Sequence, residues 1–382
     1  NYTVTVTNLE TFNITKSSDS KSFRVLKRNI NISVTVENNI YGEPTVVNVY
    51  SDIDGTFPVI IGTQQVLVSV KNGYGKNTTK LNAGNYIAYV NYTNDNYNIN
   101  MTNSSFTVSK ADITLSIEVS DKVYTSDVTG KVFASVDGEY TLVIGDIKKL
   151  VTVKNGSGEF NLGILSAGNY TITVIYNGTN NYNANTNKTT FKVSKSETNF
   201  NIKTDTNNIT YGDSLKITQT LPSDATGTIT YTYANGTIIK VIKVNESFVL
   251  SNLDAGSYVI YANYSGDSNY KSTSDNITVT VNKAINNIIV SGENTVYPEN
   301  PTIQVIADIH GEYTVTIAGK KIIVNVINGI GTGSIALDAG KYTANIEYTN
   351  KNYENNIKSI PFNVAKANIT LSVEILDKVY TA

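Results

Sequence analysis

Residues 165–183 read LSAGNYTITVIYNGTNNYN, and near copies return as LNAGNYIAYVNYTNDNYN from Leu81, LDAGSYVIYANYSGDSNY from Leu253 and LDAGKYTANIEYTNKNY from Leu337. The steps between the copies are 84, 88 and 84 residues, as tandem copies of one folding unit require. A second landmark keeps the same phase: FRVLK ending at Lys27, FTVSK at Lys110, FKVSK at Lys195, VTVNK at Lys283 and FNVAK at Lys366. Boundaries after those lysines give four full repeats, 28–110, 111–195, 196–283 and 284–366. Residues 1–27 read as the C-terminal strands of a preceding repeat, because NYTVTV at Asn1 matches NYTITV at Asn169. Residues 367–382 read as the first strand of a following one, because they nearly repeat ADITLSIEVSDKVYTS from Ala111. The segment is expected to be a window on a longer array.

Within a repeat the apolar period is two. Ile113, Leu115, Ile117 and Val119 alternate with polar residues, as do Tyr170, Ile172, Val174 and Tyr176, which is the pattern of half-buried strands. Turn signals arrive about every ten residues. Among them Asn72-Gly73, Asn155-Gly156 and Asn328-Gly329 suit two-residue hairpins whose central positions need positive φ. About seven short strands in some 85 residues predict an all-β fold of tandem immunoglobulin-like β-sandwich domains in an extended array. The quoted phrase is then a corner and a connection. Leu165 ends one strand, Ala167-Gly168 crosses between sheets, and Tyr170 opens the next strand with its hydroxyl within reach of nearby backbone, a tyrosine corner. Tyr86, Tyr258 and Tyr342 take the same part. The tail from Tyr176 to Tyr182 leads into the last strand, with Tyr182 packing back on its own repeat.

Taken together, Leu-x-Ala-Gly-x-Tyr, the turn at Tyr264-Ser-Gly-Asp-Ser-Asn-Tyr270 and the closing Phe-x-Val-x-Lys resemble the prokaryotic Big-type immunoglobulin-like repeats of surface adhesins. The Asn- and Tyr-rich, cysteine-free version is most similar to the adhesin-like proteins of methanogenic archaea. The resemblance covers the whole chain and implies an extracellular stalk attached to a cell surface. The third repeat departs most, with TLPSDATGTITYTYANGT from Thr220 in place of the shorter Asp-Gly-Glu-Tyr region.

Charge and composition set limits. Net charge is -2 and charged residues make up 16% of the chain, so no basic stripe exists for nucleic acid. Forty per cent hydrophobic content is enough to build cores. Cysteine is absent, so stability rests on packing and backbone hydrogen bonds. No apolar run approaches the length of a membrane helix, so no direct membrane insertion is expected of this segment.

Catalytic chemistry has little to work with. There is one histidine, and no HExxH, P-loop or G-x-S-x-G pattern. His310 fills the turn slot that Asp137 and Asp54 hold in other repeats, so it reads as a turn residue. No enzyme and no cofactor are expected. Calcium is the metal that oxygen ligands such as Asp95, Asp121, Asp267 and Asp377 would take, yet no EF-hand-like spacing joins them. A crosslink from Lys131 beside Glu118 is a further candidate. Asn-x-Ser/Thr sequons number seventeen, against roughly ten expected from composition, and Asn77, Asn91, Asn155, Asn169, Asn177, Asn235 and Asn263 are candidate N-glycosylation sites.

Two functional classes stand open. The first is a stalk that spaces or presents adhesive elements, each repeat adding roughly 30–40 Å, with neighbouring copies associating end to end or by strand pairing into surface fibres. The second is an array of carbohydrate-binding sandwich modules, using aromatic side chains to stack on glycans. Expected partners are cell-surface molecules, glycans, or further copies of the chain.

Overall fold

The computed structural model describes residues 1–378, and every regular element among them is a β-strand. The chain falls into two compact units, Asn1–Ser194 and Lys195–Ala382. The first opens with a hairpin in which Tyr2–Asn8 pairs antiparallel with Ser17–Phe23. Tyr2 stands opposite Phe23 with the rings stacked 5.6 Å apart. The same Tyr–Phe pairing recurs as Tyr86–Phe106 and Tyr170–Phe191. The hairpin has no core of its own, and all its residues are exposed.

The second repeat shows the plan of the sandwiches. Leu115–Val119, Asp127–Ala134 and Ser157–Ile164 make a three-stranded antiparallel sheet. Facing it is a five-stranded sheet in the order Lys122–Val123, Asn185–Ser194, Gly168–Tyr176, Gly138–Ile144, Ile147–Val153. Alternation sorts the side chains: Tyr140, Leu142 and Ile144 point inward from one strand, and Ile172, Val174 and Tyr176 from its neighbour. They meet Val132, Val151, Phe160 and Val193 from the other strands in one buried cluster. Each fully buried aliphatic or aromatic side chain there stabilises the fold by about 1.5–3 kcal/mol. The repeats starting at Arg28, Ser196 and Ala284 repeat this two-sheet plan, except that the second sheet of the last is divided into two three-stranded pieces.

Strand counts exceed the seven read from the sequence, with nine, eight, eight and ten described strands in chain order. The opening segment serves both sheets. Leu115–Val119 pairs antiparallel in one, then Lys122–Val123 runs parallel to Asn185–Ser194 in the other. In the first and fourth repeats the closing segment divides as well, Tyr97–Met101 joining one sheet and Asn103–Ser109 the other, and Tyr353–Ile360 and Phe362–Ala365 parting at Pro361. Of the opening strand expected over residues 367–382, only residues 367–378 are described. Residues 367–378 are exposed and carry no strand, since no neighbouring strand pairs with them, and residues 379–382 lie outside the described residues.

The Asn-Gly hairpins take the expected conformation. At Asn155 and Gly156 φ is 53° and 85°, and the pairs at residues 72–73 and 328–329 match them closely. A Cβ on Gly156 would come no closer than 3.8 Å to any neighbouring atom, the carbonyl oxygen of Ala134. Gly156→Ala is therefore expected to cost only the backbone penalty, about 1 kcal/mol. Calorimetry showing an unchanged melting temperature would contradict that.

Candidate functional site: the joint between repeats

The corner is built the same way in all four repeats. Leu81, Leu253 and Leu337 are buried, and Leu165 packs partly buried against its core. The hydroxyl of Tyr86 donates to the carbonyl of Asn82 (3.0 Å), Tyr170 to Ser166 (2.7 Å), Tyr258 to Asp254 (2.9 Å) and Tyr342 to Asp338 (2.8 Å). Three of these rings lie against the closing phenylalanine, Phe106, Phe191 or Phe362. In the third repeat Val279 takes that place across the ladder, and Tyr258 leans on Tyr233 instead.

A second tyrosine uses the same device and was missed in the sequence. Tyr140 donates to Val136 O at 2.6 Å and Tyr313 to Ile309 O at 2.7 Å, again four residues back. Both are fully buried and stacked, Tyr140 on Tyr176 and Tyr313 on Tyr348. Its signal in the sequence is the recurring Gly-Glu-Tyr that directly follows the turn residues Asp137 and His310.

The closing turn does more than return the chain. Asn181 sits in the turn of the second repeat, and its Oδ1 accepts the backbone N–H of Ala83 in the first at 2.9 Å. Its Nδ2 donates to Asn82 Oδ1 at 3.1 Å, and the adjacent Tyr182 meets Tyr41 edge-on at 5.3 Å. In the second unit the fourth repeat docks on the third through equivalent residues. Asn352 Oδ1 accepts the N–H of Ala255 at 2.9 Å, Asn352 Nδ2 donates to Asp254 Oδ1 at 2.9 Å, and Tyr353 meets Tyr211 edge-on at 5.3 Å. Tyr182 packs against the core of its own repeat as expected, and the same turn also reaches the neighbouring repeat.

The boundary lysine ties the same place from the other side. Lys110 Nζ donates to Thr179 O at 2.7 Å, Lys283 to Asn350 O at 3.5 Å, and Lys195 to Asp267 O. The first residue of each repeat then pairs with the turn: Arg28, Ala111, Ser196 and Ala284 donate to the carbonyls of Asn96, Asn181, Asn269 and Asn352. Within each unit, at residues 110–111 and 283–284, a linker whose backbone is already in a ladder has little freedom to swing.

Chemically the two joints differ. In the second unit Lys351 Nζ stands 2.7 Å from Asp254 Oδ2, where the first has only amides. The hydrogen bond from Lys351, then that from Asn352, holds the Asp254 carboxyl below its ordinary value. A folded-state value below the unfolded one contributes stability above about pH 3.9 that is lost as pH falls through the folded value. Acidification to about pH 2 is expected to weaken hydrogen-exchange protection of the Ala255 amide and leave that of Ala83 unchanged. Equal loss at both amides would contradict it.

Residues 202–282, the third repeat, match the family model described as Bacterial Ig-like domain (group 3). That match supports a region of Big/Ig-like repeats. Similar solved structures include the fibronectin(III)-like modules of Clostridium thermocellum CbhA, at 16% identity over 44% of this chain and 94% of that one, with a TM-score of 0.20. Chicken CNTN1 FN1-FN3 domains are similar at 11% identity over 68% and 100%, also with a TM-score of 0.20. No curated protein matches the sequence.

The remaining candidates of these Ig-like repeats do not gather. Asp95 is exposed, Asp121 Oδ1 accepts the Lys192 N–H at 2.7 Å, and Asp377 is exposed outside any strand. Asp267 organises its own turn, accepting N–H groups of Thr226, Asn269 and Tyr270. Burial pushes its carboxyl up, but those N–H groups and the Thr226 hydroxyl outweigh it and hold the value at about 2. Among the described residues no three His, Cys, Asp or Glu stand together to hold a metal ion. Lys131 is an exposed residue paired with Glu159 at 3.0 Å and faces Glu118 only across the ladder, so the crosslink has no buried lysine to start from. His310 is exposed in its turn. All seven candidate glycosylation asparagines are exposed, although Asn77 spends its amide on Leu67 O at 2.8 Å.

Proposed function

We propose that this chain is an extracellular repeat stalk of a cell-surface, adhesin-like protein, which spaces or presents adhesive elements through joints that hold neighbouring repeats in fixed relation. The observation that carries the reading is the recurrence of one joint, Asn181 with Tyr182 on the first repeat and Asn352 with Tyr353 on the third, at matching distances. A chain of independent binding modules gains nothing from such locks, whereas a spacer depends on them. Bacterial Ig-like modules are typically structural, non-enzymatic and often extracellular, and no helix among the described residues is long and apolar enough to cross a membrane. Glycans on Asn91, Asn155, Asn169, Asn177, Asn235 and Asn263 would cover exposed sheet faces and turns. Immunogold electron microscopy with an antibody to this segment tests the reading: label on thin projections outside intact cells supports it, and label confined to the interior would refute it.

A carbohydrate-binding reading has one observation in its favour. Tyr50 and Tyr74 lie side by side on an outer face of the first repeat, 46% and 42% exposed with ring centroids 5.2 Å apart, and the Tyr74 hydroxyl donates to Asn48. Such a pair presents flat apolar area beside amide groups. Glycan-array binding lost on Tyr50→Ala would establish this second activity.

A further inference from the structure

The corner of the fourth repeat is a third copy of the surface that receives a turn in both joints. Asp338 and Ala339 stand where Asn82-Ala83 and Asp254-Ala255 stand, and both are exposed. Tyr297, 47% exposed, stands where Tyr41 and Tyr211 stand. Its backbone N–H is tethered to Ala365 O at 2.9 Å as theirs are to Ser109 O and Asn282 O at 2.8 Å. Donor, carboxylate and ring are thus present together on a rigid corner, the arrangement that elsewhere binds an Asn-Tyr turn.

Charge decides which turn fits. The residue before the inserted asparagine is Asn180 in the first joint and Lys351 in the second; Lys351 pairs with Asp254 at 2.7 Å, whereas Asn82 is met by the amide of Asn181 itself. Asp338 reproduces Asp254, so it calls for a cation at that turn position. The exposed turn of the first repeat offers Asp95-Asn96-Tyr97 instead, which would set carboxylate against carboxylate.

We propose that the corner formed by Asp338, Ala339 and Tyr297 is a docking socket for the turn of another Ig-like repeat reading cation-Asn-Tyr, and that this corner–turn charge pair selects which repeat docks on which. The proposal rests on the joint that underlies the stalk reading, and adds the partner and its selectivity. It predicts a charge swap in the full chain, read by sedimentation at high concentration and low salt. The wild-type chain, with Asp95 and Asp338, is expected to associate only weakly through this contact. Asp95→Lys supplies the cation and should self-associate head to tail up to about fivefold more tightly than wild type. Asp338→Lys should do the same, by meeting Asp95 with the opposite sign. The double variant carries two like charges again and should return to wild-type behaviour. All positions changed are exposed, and circular dichroism confirms folding of each chain. Four chains that sediment alike, or a double variant that associates as strongly as either single one, would overturn the socket. Such a result leaves the joints within each unit untouched, so the stalk reading would still stand or fall on its own test.

Discussion

Tyr313→Ala is expected to destabilise the fourth repeat by about 3–5 kcal/mol, the cost of a large buried aromatic removed from a packed core. Tyr313 is fully buried and stacks on Tyr348 at 4.4 Å with the planes only 14° apart. Its hydroxyl donates to Ile309 O and accepts Asn286 Nδ2 at 3.2 Å. Asn286 is itself fully buried, and its Oδ1 already has no hydrogen-bond partner, so losing Tyr313 strands the amide nitrogen too. Tyr313→Phe keeps the ring and should cost about 1–2 kcal/mol for the orphaned polar groups. Because an array unfolds in more than one step, the effect is best read from hydrogen exchange of amides within residues 284–366. A loss under about 1 kcal/mol for the alanine variant would mean the ring is not part of the core.

Alkali should unfold the repeats cooperatively. Burial, then neighbouring Tyr176 and Asp137, pushes the Tyr140 hydroxyl up to about 12, and burial alone does the same for Tyr231. Burial also raises Tyr264 and Tyr313. The folded values lie above the unfolded one near 10, so this contribution is present in full below about pH 10 and is lost as pH rises toward 12. Ultraviolet titration should show the exposed tyrosines ionising first and the buried ones only together with loss of the β-sheet signal. Smooth ionisation of all tyrosines near pH 10 with the circular dichroism unchanged would contradict the buried placement.

What the sequence disclosed follows the range of the interactions. The period of two placed Ile172 and Val174 inside, and the Asn-Gly pairs announced their hairpins, because both are set by residues within a turn or two of each other. The hydroxyl of Tyr170 bonds only four residues back, so its corner was readable from Leu-x-Ala-Gly-x-Tyr. Strand number was not readable, since the transfer of Lys122–Val123 to the second sheet depends on Asn185–Ser194, some 70 residues on. The joint was hidden for the same reason. Asn181 and Ala83 are 98 residues apart, and the repeat showed only that an Asn-Tyr pair recurs at the end of the turn. Within its own repeat the pair already has work, the asparagine carbonyl accepting the repeat's first N–H and Tyr97 or Tyr182 packing on its own core, so nothing local betrays the second contact.

Spin labels on exposed sites of the first and second repeats, read as a distance distribution by pulsed electron resonance, test the lock most directly. The account predicts a single narrow distance that broadens severalfold on Asn181→Ala with Tyr182→Ala, while each repeat stays folded. A broad distribution in the unaltered chain, or a narrow one that survives the double substitution, would show that Asn181 and Tyr182 do not fix one repeat against the next.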